Sequence, residues 1–173
     1  MICNELKDCY ATIKISSRSE CISANNQSCV EFCDRRSAPK CEENRKKYAI
    51  DNIDKNLVTL YKVDGGMIVV DKSVPVGQKK CDYLFCVEKK QMSIVILVEL
   101  KGTQVRTALK QVEATYDLYK DFFDSFSVVL CRIIVTNSTP KINTSPEYIS
   151  LQRKIKKANG SIVIQEKEYK EVI

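Results

Sequence analysis

The sequence predicts an α/β fold in which a mixed central β-sheet is flanked by helices. Residues 94–98 are apolar at every position, as in a strand that is buried on both faces of a sheet. Beginning with this strand, the predicted elements alternate in the order strand, helix, strand, helix, strand. At 173 residues, 44% of them hydrophobic, the chain can bury one sizeable core, so we expect a single domain over residues 1–173.

The first third of the chain carries the weakest signals. Residues 4–20 alternate weakly, which predicts a short strand or irregular structure. Residues 21–37 are polar and rich in cysteine and receive no assignment, so 1–37 forms a poorly assigned N-terminal segment. Ser37-Ala38-Pro39, followed by acidic and then basic residues, predicts a helix to about residue 50.

Strands dominate the middle of the chain. Residues 57–63 and 67–70 are predicted strands on either side of the turn Asp64-Gly65-Gly66. A loop over 74–80 leads to two further strands, at about 81–87 and 93–100. The polar residues between these two strands suit a short connection.

The remaining elements alternate between helix and strand. Gly102 and Thr103 are expected to end a strand and cap a helix to Phe123, because apolar residues recur there at spacings of four and three. The rest of the chain predicts a strand at 126–136, a helix at 146–158 closed by Gly160, a strand at 161–165 and a charged tail.

Composition excludes several kinds of chemistry. The chain has no histidine, which rules out histidine-activated nucleophiles, His-Cys zinc hydrolysis and histidine-metal finger nucleases. Its nine cysteines are an odd number, and we favour reduced thiols over a disulfide framework. Cys21, Cys29, Cys33 and Cys41 are an alternative zinc set, although their spacing lacks the usual two-residue knuckle.

Charge and hydropathy point to a protein of the cytoplasm. The longest apolar run covers seven residues, 94 to 100 counting past Glu99, which is too short to span a bilayer. The first eight residues lack the apolar segment of a signal peptide, so we expect a cytoplasmic protein without membrane contact. The net charge of +6 fits a polyanionic partner without requiring one.

The most informative motif is Glu99-Leu100-Lys101 at the end of the apolar run. Strand alternation places Glu99 and Lys101 on one face, and a neighbouring strand opened by Asp82 could add a second carboxylate. Two carboxylates and a lysine are the parts needed to hold Mg²⁺ and attack a phosphodiester. Three other Glu-x-Lys triplets, at 5–7, 88–90 and 168–170, lie in polar or terminal stretches and indicate solvated charge.

This arrangement resembles the PD-(D/E)xK phosphodiesterase superfamily, which has the restriction-endonuclease-like fold. The resemblance covers residues 38–165, the nuclease-like core, and depends on the order strand, Asp82, strand, Glu99-x-Lys101, helix with Gln111, and strand. Cys81 stands where the nominal motif has proline, and Thr115 stands where several members have a tyrosine four residues after the glutamine.

The resemblance implies a fold, a cofactor and a set of roles. Asp82 and Glu99 would bind Mg²⁺, or Mn²⁺ in its place, with the Leu100 carbonyl as a further ligand. Lys101 would position or activate the attacking water, and Gln111 would lie near the site. The implied function is a metal-dependent nuclease, with DNA favoured over RNA as the polymer.

Several assignments stay open at this point. Asp64, Glu42 or Glu43 could add a further carboxylate to the site, although turn formation or a helix dipole explains each of them as well. The basic run Arg153, Lys154, Lys156 and Lys157 could contact phosphates or form a plain solvated face. The charges at 99–101 could be only a strand-end ion pair.

Two other functions compete with the nuclease. One is a catalytically inactive nuclease-like domain that serves nucleic-acid binding or protein assembly, and the other is a small interaction protein. Because the chain shows no separate recognition domain, sequence specificity would have to come from a loop, a homodimer or a partner protein.

Overall fold

A computed structural model describes residues 6–16, 30–67, 77–137 and 140–173. In this part of the chain there are nine strands: β1 (Val30–Asp34), β2 (Lys40–Glu43), β3 (Lys46–Asp51), β4 (Leu57–Lys62), β5 (Tyr83–Glu88), β6 (Ser93–Leu100), β7 (Val128–Val135), β8 (Ile162–Glu166) and β9 (Glu168–Val172). The α-helices of the same part are α1 (Leu6–Ser16), α2 (Val105–Leu118), α3 (Lys120–Phe123) and α4 (Pro146–Lys157). None of these helices is long and apolar enough to cross a membrane.

The larger sheet has six strands in the order β1-β4-β5-β6-β7-β8. From β1 to β6 neighbouring strands run antiparallel, whereas β6, β7 and β8 run parallel. The predicted mixed sheet is therefore confirmed, as are the strands at β4, β5, β6, β7 and β8 and the helix at α4. In α4, Ser145 caps the N-terminus by accepting a hydrogen bond from the Tyr148 amide.

The two faces of this sheet are covered differently. All four helices pack on one face and form the helix-side cluster, which includes Tyr10, Leu97, Leu109, Phe123 and Leu151. The other face is covered by a three-stranded sheet, β2-β3-β9, and the small-sheet cluster between the two sheets includes Cys41, Tyr48, Phe85, Ile96 and Val98. In the part of the chain that the structure describes, the expectation that helices flank the sheet holds for one face only.

The helix predicted for residues 38–50 is wrong, because β2 and β3 form a hairpin there. Asn44 and Arg45 both have positive φ angles, 47° and 62°, as a two-residue turn between antiparallel strands requires. Cys41, Tyr48 and Ile50 are buried, which is the alternation of a strand face. The acidic and then basic residues suited a helix dipole, but packing of this apolar face against the larger sheet decides the structure.

The N-terminal prediction also fails, since residues 6–16 form α1 rather than a strand or irregular structure. The buried side chains of α1 are Leu6, Cys9, Tyr10 and Ile13, which recur with helical spacing. The weak alternation came from Ile13 and Ile15, and Ile15 is in fact 87% exposed. Of the unassigned residues 21–37, 21–29 lie outside the described part of the chain, and Val30–Asp34 forms β1.

The charged tail expected after residue 165 instead forms β9, which pairs in parallel with β3. Lys167, with φ at 62°, turns the chain sharply between β8 and β9. Glu171 fixes β9 in place because it accepts hydrogen bonds from Arg132 on β7 and, over 2.7 Å, from the Tyr48 hydroxyl on β3. Arg132 and Tyr48 are buried, so this network ties the small sheet to the larger one.

Helix α2 begins one residue later than predicted. Gln104 occupies the cap position without a side-chain hydrogen bond, so Thr103 does not cap the helix as expected. The helix breaks at Tyr119 and continues as the short α3. Its apolar face is as predicted, with the following residues all buried: Val105, Leu109, Val112, Tyr116, Tyr119 and Phe123.

The predicted turn at 64–66 lies within the segment Val63–Met67, where Gly65 has a φ of 72°. The strand predicted for 67–70 falls mainly outside the described residues, as do residues 74–76 of the predicted loop. The next described residues, 77–82, lead directly into β5 and place Asp82 at its start.

Gly160 closes α4 where the chain passes against β7, and no side chain fits there. A Cβ atom at Gly160 would lie 1.6 Å from the Val129 carbonyl oxygen. We therefore expect Gly160→Ala to lower the free energy of unfolding by about 1–3 kcal/mol, the usual cost of overpacking. Gly102→Ala is the matched control, since no atom lies within 4 Å of its Cβ position. Urea denaturation of both variants measures the difference, and equal stability would contradict this account of the packing.

Candidate active site

Asp82 and Glu99 lie beside each other at the end of two neighbouring strands. Tyr83 pairs with Val98 in the antiparallel β5–β6 ladder, so Asp82 and Glu99 occupy the next opposing positions. One carboxylate oxygen of Asp82 accepts a hydrogen bond of 2.7 Å from the Leu100 amide. The spacing that the sequence offered, one carboxylate opening a strand and one ending the next, thus brings the two groups together.

Glu99 points to the helix side of the sheet and is almost completely enclosed. Its side chain is 1% exposed, and neither carboxylate oxygen has a hydrogen-bond partner among the described residues. The Lys101 ammonium lies 3.7 Å from one of these oxygens, close enough for an ion pair but too far for a hydrogen bond. Lys101 itself is 31% exposed, so its ammonium faces the solvent edge of the site.

The surroundings of Glu99 strongly disfavour its charged form. Burial, followed by the nearby charge of Asp82, raises the pKa of Glu99 to about 9. Lys101 and the main-chain amide of Asp82 both lower the pKa of Glu99, but together they offset only part of the rise. The Asp82 amide lies close to the Glu99 carboxylate without forming a hydrogen bond of normal geometry to it. A metal-free site at neutral pH therefore holds Glu99 mainly as the neutral acid.

Asp82 is perturbed less than Glu99. Burial, together with the charges of Glu43 and Asp64, raises the pKa of Asp82 to about 6, although the Leu100 hydrogen bond and Lys101 act to lower it. Asp82 thus ionises first, and its charge is one reason why Glu99 keeps its proton.

Two further carboxylates, those of Asp64 and Glu43, line a cavity of about 280 Å³ beside Asp82. Lys62 and Tyr83 also line this cavity. Asp64 comes from the turn after β4, and its carboxylate lies 3.4 Å from the Lys80 ammonium. Glu43 comes from the end of β2, not from the first turn of a helix as the sequence suggested. Both acids therefore lie on the rim of the site.

Glu42 does not join this group. Strand alternation directs Glu42 away from Glu43, and its carboxylate pairs with Lys40 at 3.5 Å. The helix-dipole explanation for Glu42 and Glu43 is wrong because both lie in a strand.

Gln111 reaches the segment that leads into Asp82 rather than the carboxylates themselves. Its side-chain amide donates a hydrogen bond of 2.9 Å to the Lys80 carbonyl, and its own side-chain oxygen is buried without a partner among the described residues. The sequence placed Gln111 near the site but gave no indication of this contact.

The basic run on α4 lies away from the carboxylates. Arg153, Lys156 and Lys157 are exposed, whereas the Lys154 ammonium is held by Glu113 and Asp117 at 2.9 and 2.7 Å. The end of α4 meets the beginning of β7, where the Val129 amide bonds to the Ala158 carbonyl. Glu99 pairs with Ile133, which lies four residues beyond Val129 in β7. The end of α4 and Glu99 are therefore separated by about 13 Å along this strand. Phosphate binding by this run stays a prediction.

The suggested zinc set finds no support among the described cysteines. Cys33 packs in the helix-side cluster and Cys41 in the small-sheet cluster, on opposite faces of the larger sheet, so they cannot share one tetrahedral ion. Cys21 and Cys29 lie outside the described residues. Over the described ranges, no group of three or more Cys, Asp and Glu side chains is arranged to hold a metal ion.

The chain matches no protein-family model, and no significant match is found among curated proteins or solved structures.

The raised pKa values predict an unusual pH dependence of stability. Between about pH 4.5 and 9 the folded chain holds the Glu99 proton more tightly than the unfolded chain, so the metal-free protein loses stability as pH rises. Glu99→Gln removes this loss and should be more stable than the wild type by about 1–3 kcal/mol near pH 8, with a smaller gain near pH 5. Asp82 contributes a similar fall between about pH 4 and 6 in both proteins.

Urea denaturation in EDTA at the two pH values measures this difference. Glu42→Gln, at an exposed carboxylate, is the control and should follow the wild-type curve. A gain from Glu99→Gln that does not change with pH would show that Glu99 is not the titrating group.

Proposed function

We propose that this protein is a Mg²⁺-dependent nuclease that hydrolyses phosphodiester bonds in nucleic acid, with DNA favoured over RNA. The observation that carries the proposal is the Glu99 carboxylate, buried beside Asp82 with both oxygens unpartnered among the described residues. Burying a carboxyl group without hydrogen-bond partners is costly even when it is protonated, and a divalent cation held between Glu99 and Asp82 would supply the missing partner.

A structural ion pair in the same protein offers a direct contrast. Glu171 is held by two hydrogen bonds from Arg132 and one from Tyr48, so each of its oxygens has a partner. Among the described residues, Glu99 has only the Lys101 ammonium, at 3.7 Å. A charge pair kept for stability alone would be expected to close its hydrogen bonds as Glu171 does. The open arrangement favours a ligand site.

The order of elements also supports the proposal. Asp82 precedes β5, Glu99 and Lys101 end β6, Gln111 lies on α2, and β7 returns parallel to β6. This is the order on which the resemblance to the PD-(D/E)xK superfamily depends, and it supports a restriction-endonuclease-like core over residues 38–165, with α1 packed against it.

The residues present fit a magnesium ion by their chemistry. Asp82 and Glu99 offer carboxylate oxygens and Leu100 a carbonyl oxygen, and Mg²⁺ commonly takes one or two carboxylates while the remaining positions go to water and substrate phosphate. When bound, the ion would polarise a phosphoryl oxygen and lower the pKa of a water molecule.

The protein's own groups would do the remaining work. Asp82 and Glu99 would orient the cation, and Glu99 would give up its proton when the cation binds. The Lys101 ammonium, at the solvent edge, can donate to the attacking oxygen or to a non-bridging phosphate oxygen as negative charge develops there. Lys62, which lines the neighbouring cavity, and Arg106, which is exposed in the first turn of α2, would be available to contact flanking phosphates.

One observation favours the alternative of an inactive nuclease-like domain. Only two carboxylates meet at the strand ends, and the described residues hold no group of three metal-binding side chains. An inactive domain would keep the fold and could still bind nucleic acid, but it would bind no catalytic metal. Metal binding therefore separates the two candidates.

Removing either carboxylate should abolish the proposed activity. We expect Asp82→Asn and Glu99→Gln each to lose the Mn²⁺-induced rise in melting temperature, because the cation then has one charged ligand instead of two. Cleavage of plasmid, linear and single-stranded substrates should fall by about 10²–10³ or more. Glu168→Gln, at the exposed start of another Glu-x-Lys triplet, should leave both readouts unchanged. A wild type that shows neither metal binding nor cleavage would favour the inactive domain.

Lys101 should affect turnover without affecting metal binding. Lys101→Ala is expected to keep the Mn²⁺ response but to lose about 10²–10³ in the single-turnover rate, the effect of removing one preorganised donor. Lys101→Arg should not restore the rate, because a planar guanidinium cannot take the position of a compact ammonium.

Lys170→Ala is the matched control for Lys101, since Lys170 ends a Glu-x-Lys triplet in β9 and pairs with Asp51 at the surface. Calorimetric Mn²⁺ titration and cleavage assays on the same preparations give both readouts. If Lys101→Ala loses metal binding together with activity, Lys101 serves as a structural partner of Glu99 instead.

A further inference from the structure

Helix α2 holds one particular peptide group just before Asp82. The Gln111 side chain donates a hydrogen bond of 2.9 Å to the Lys80 carbonyl, and the Thr115 hydroxyl accepts one of 2.8 Å from the Cys81 amide. This carbonyl and this amide belong to the same peptide bond, which joins Lys80 to Cys81. Gln111 and Thr115 are four residues apart and so lie on one face of the helix. We refer to these two contacts as the peptide clamp.

The Thr115 hydroxyl is set in one direction. It donates its own proton to the main-chain carbonyl of Gln111 at 3.0 Å, which leaves its lone pairs free to accept a hydrogen bond from the Cys81 amide. Thr115 and Cys81 are both fully buried, so no water can replace this contact. Because residue 81 precedes β5, its amide has no partner in the strand ladder and depends on Thr115.

The clamped peptide lies one residue before the proposed metal ligand. The Asp82 carboxylate is tied to the Leu100 amide, and the Asp82 carbonyl accepts hydrogen bonds from the Val63 and Asp64 amides. With the clamp in place, the backbone on both sides of the Asp82 side chain is fixed. Without the clamp, only the hydrogen bonds at Asp82 itself and those of β5 after it would fix the backbone near this side chain.

We propose that Thr115, together with Gln111, is a positioning residue that sets the place of the Asp82 carboxylate through the Lys80–Cys81 peptide. This inference rests on the proposed function, in which Asp82 binds the cation. It assigns Gln111 a positioning role in place of a catalytic one and gives Thr115 a role that the sequence did not suggest.

Amide hydrogen exchange in metal-free protein tests the clamp without relying on activity. The Leu100 amide reports on Asp82 because its hydrogen bond goes to that carboxylate. Thr115→Val removes the acceptor and should speed exchange at Leu100 by about tenfold, as expected for the loss of one hydrogen bond. Thr115→Ser keeps the hydroxyl and should restore slow exchange.

Thr59→Val is the matched control. Thr59 is also a buried threonine, with its hydroxyl on the Cys33 sulfur, but it pairs with Cys86 further along β5 and away from Asp82. Thr59→Val should leave exchange at Leu100 unchanged even where it costs stability. Equal effects of Thr59→Val and Thr115→Val at Leu100, or no effect of Thr115→Val, would overturn the proposal.

Kinetics provide the second readout. Thr115→Val should lower kcat about tenfold with KM changed less than about twofold, since the cation is misplaced while the substrate surface is intact. If Thr115→Val does not fold, Gln111→Leu is the substitute, because it removes the amide that donates to the Lys80 carbonyl. The same changes in exchange and in kcat are expected for it. A wild type without cleavage or Mn²⁺ binding would refute the proposed function, whereas unchanged exchange at Leu100 would refute the clamp.

Discussion

The buried carboxylate of Glu99 is the constraint around which the rest of the site is arranged. It stands near the end of β6, a strand whose residues 95–98 are completely enclosed and which pairs with a neighbour on each side. A slip of one residue would turn every side chain of β6 to the opposite face. The strand therefore cannot move to bring Glu99 to solvent. The free-energy cost of burying Glu99 is offset by the packing and pairing of the sheet as a whole.

Two groups of buried polar side chains differ in how completely their hydrogen bonds are formed. Arg132, Tyr48 and Glu171 form a closed network that ties the small sheet to β7. At the ends of β5 and β6, by contrast, both Glu99 oxygens and the Gln111 side-chain oxygen are buried without partners among the described residues. Unsatisfied polar groups at strand ends that carry two carboxylates are expected where a ligand completes the site.

The sequence was sufficient for elements whose pattern is long and buried. The apolar run of β6 and the face of α2 follow from periodicity, and the 17-residue spacing from Asp82 to Glu99 fits two antiparallel strands. It was insufficient where tertiary contacts decide. The charges of residues 42–47 suit a helix, and only the larger sheet beneath Tyr48 and Ile50 makes a hairpin the better solution. Strand β9 likewise depends on β3 as a partner, which no local pattern could reveal.

Thr115 illustrates the same limit within the site, and the topology explains its position. Strands β6 and β7 are parallel, so a crossover must join them, and here α2 provides it. Because α2 starts five residues after Leu100, its second turn passes over the ends of β5 and β6. A residue pair at i and i+4, on this turn and the next, then faces the chain entering β5, where the Lys80–Cys81 peptide lies outside the strand ladder. The connection that the parallel strands require is thus also the element that fixes the backbone beside Asp82.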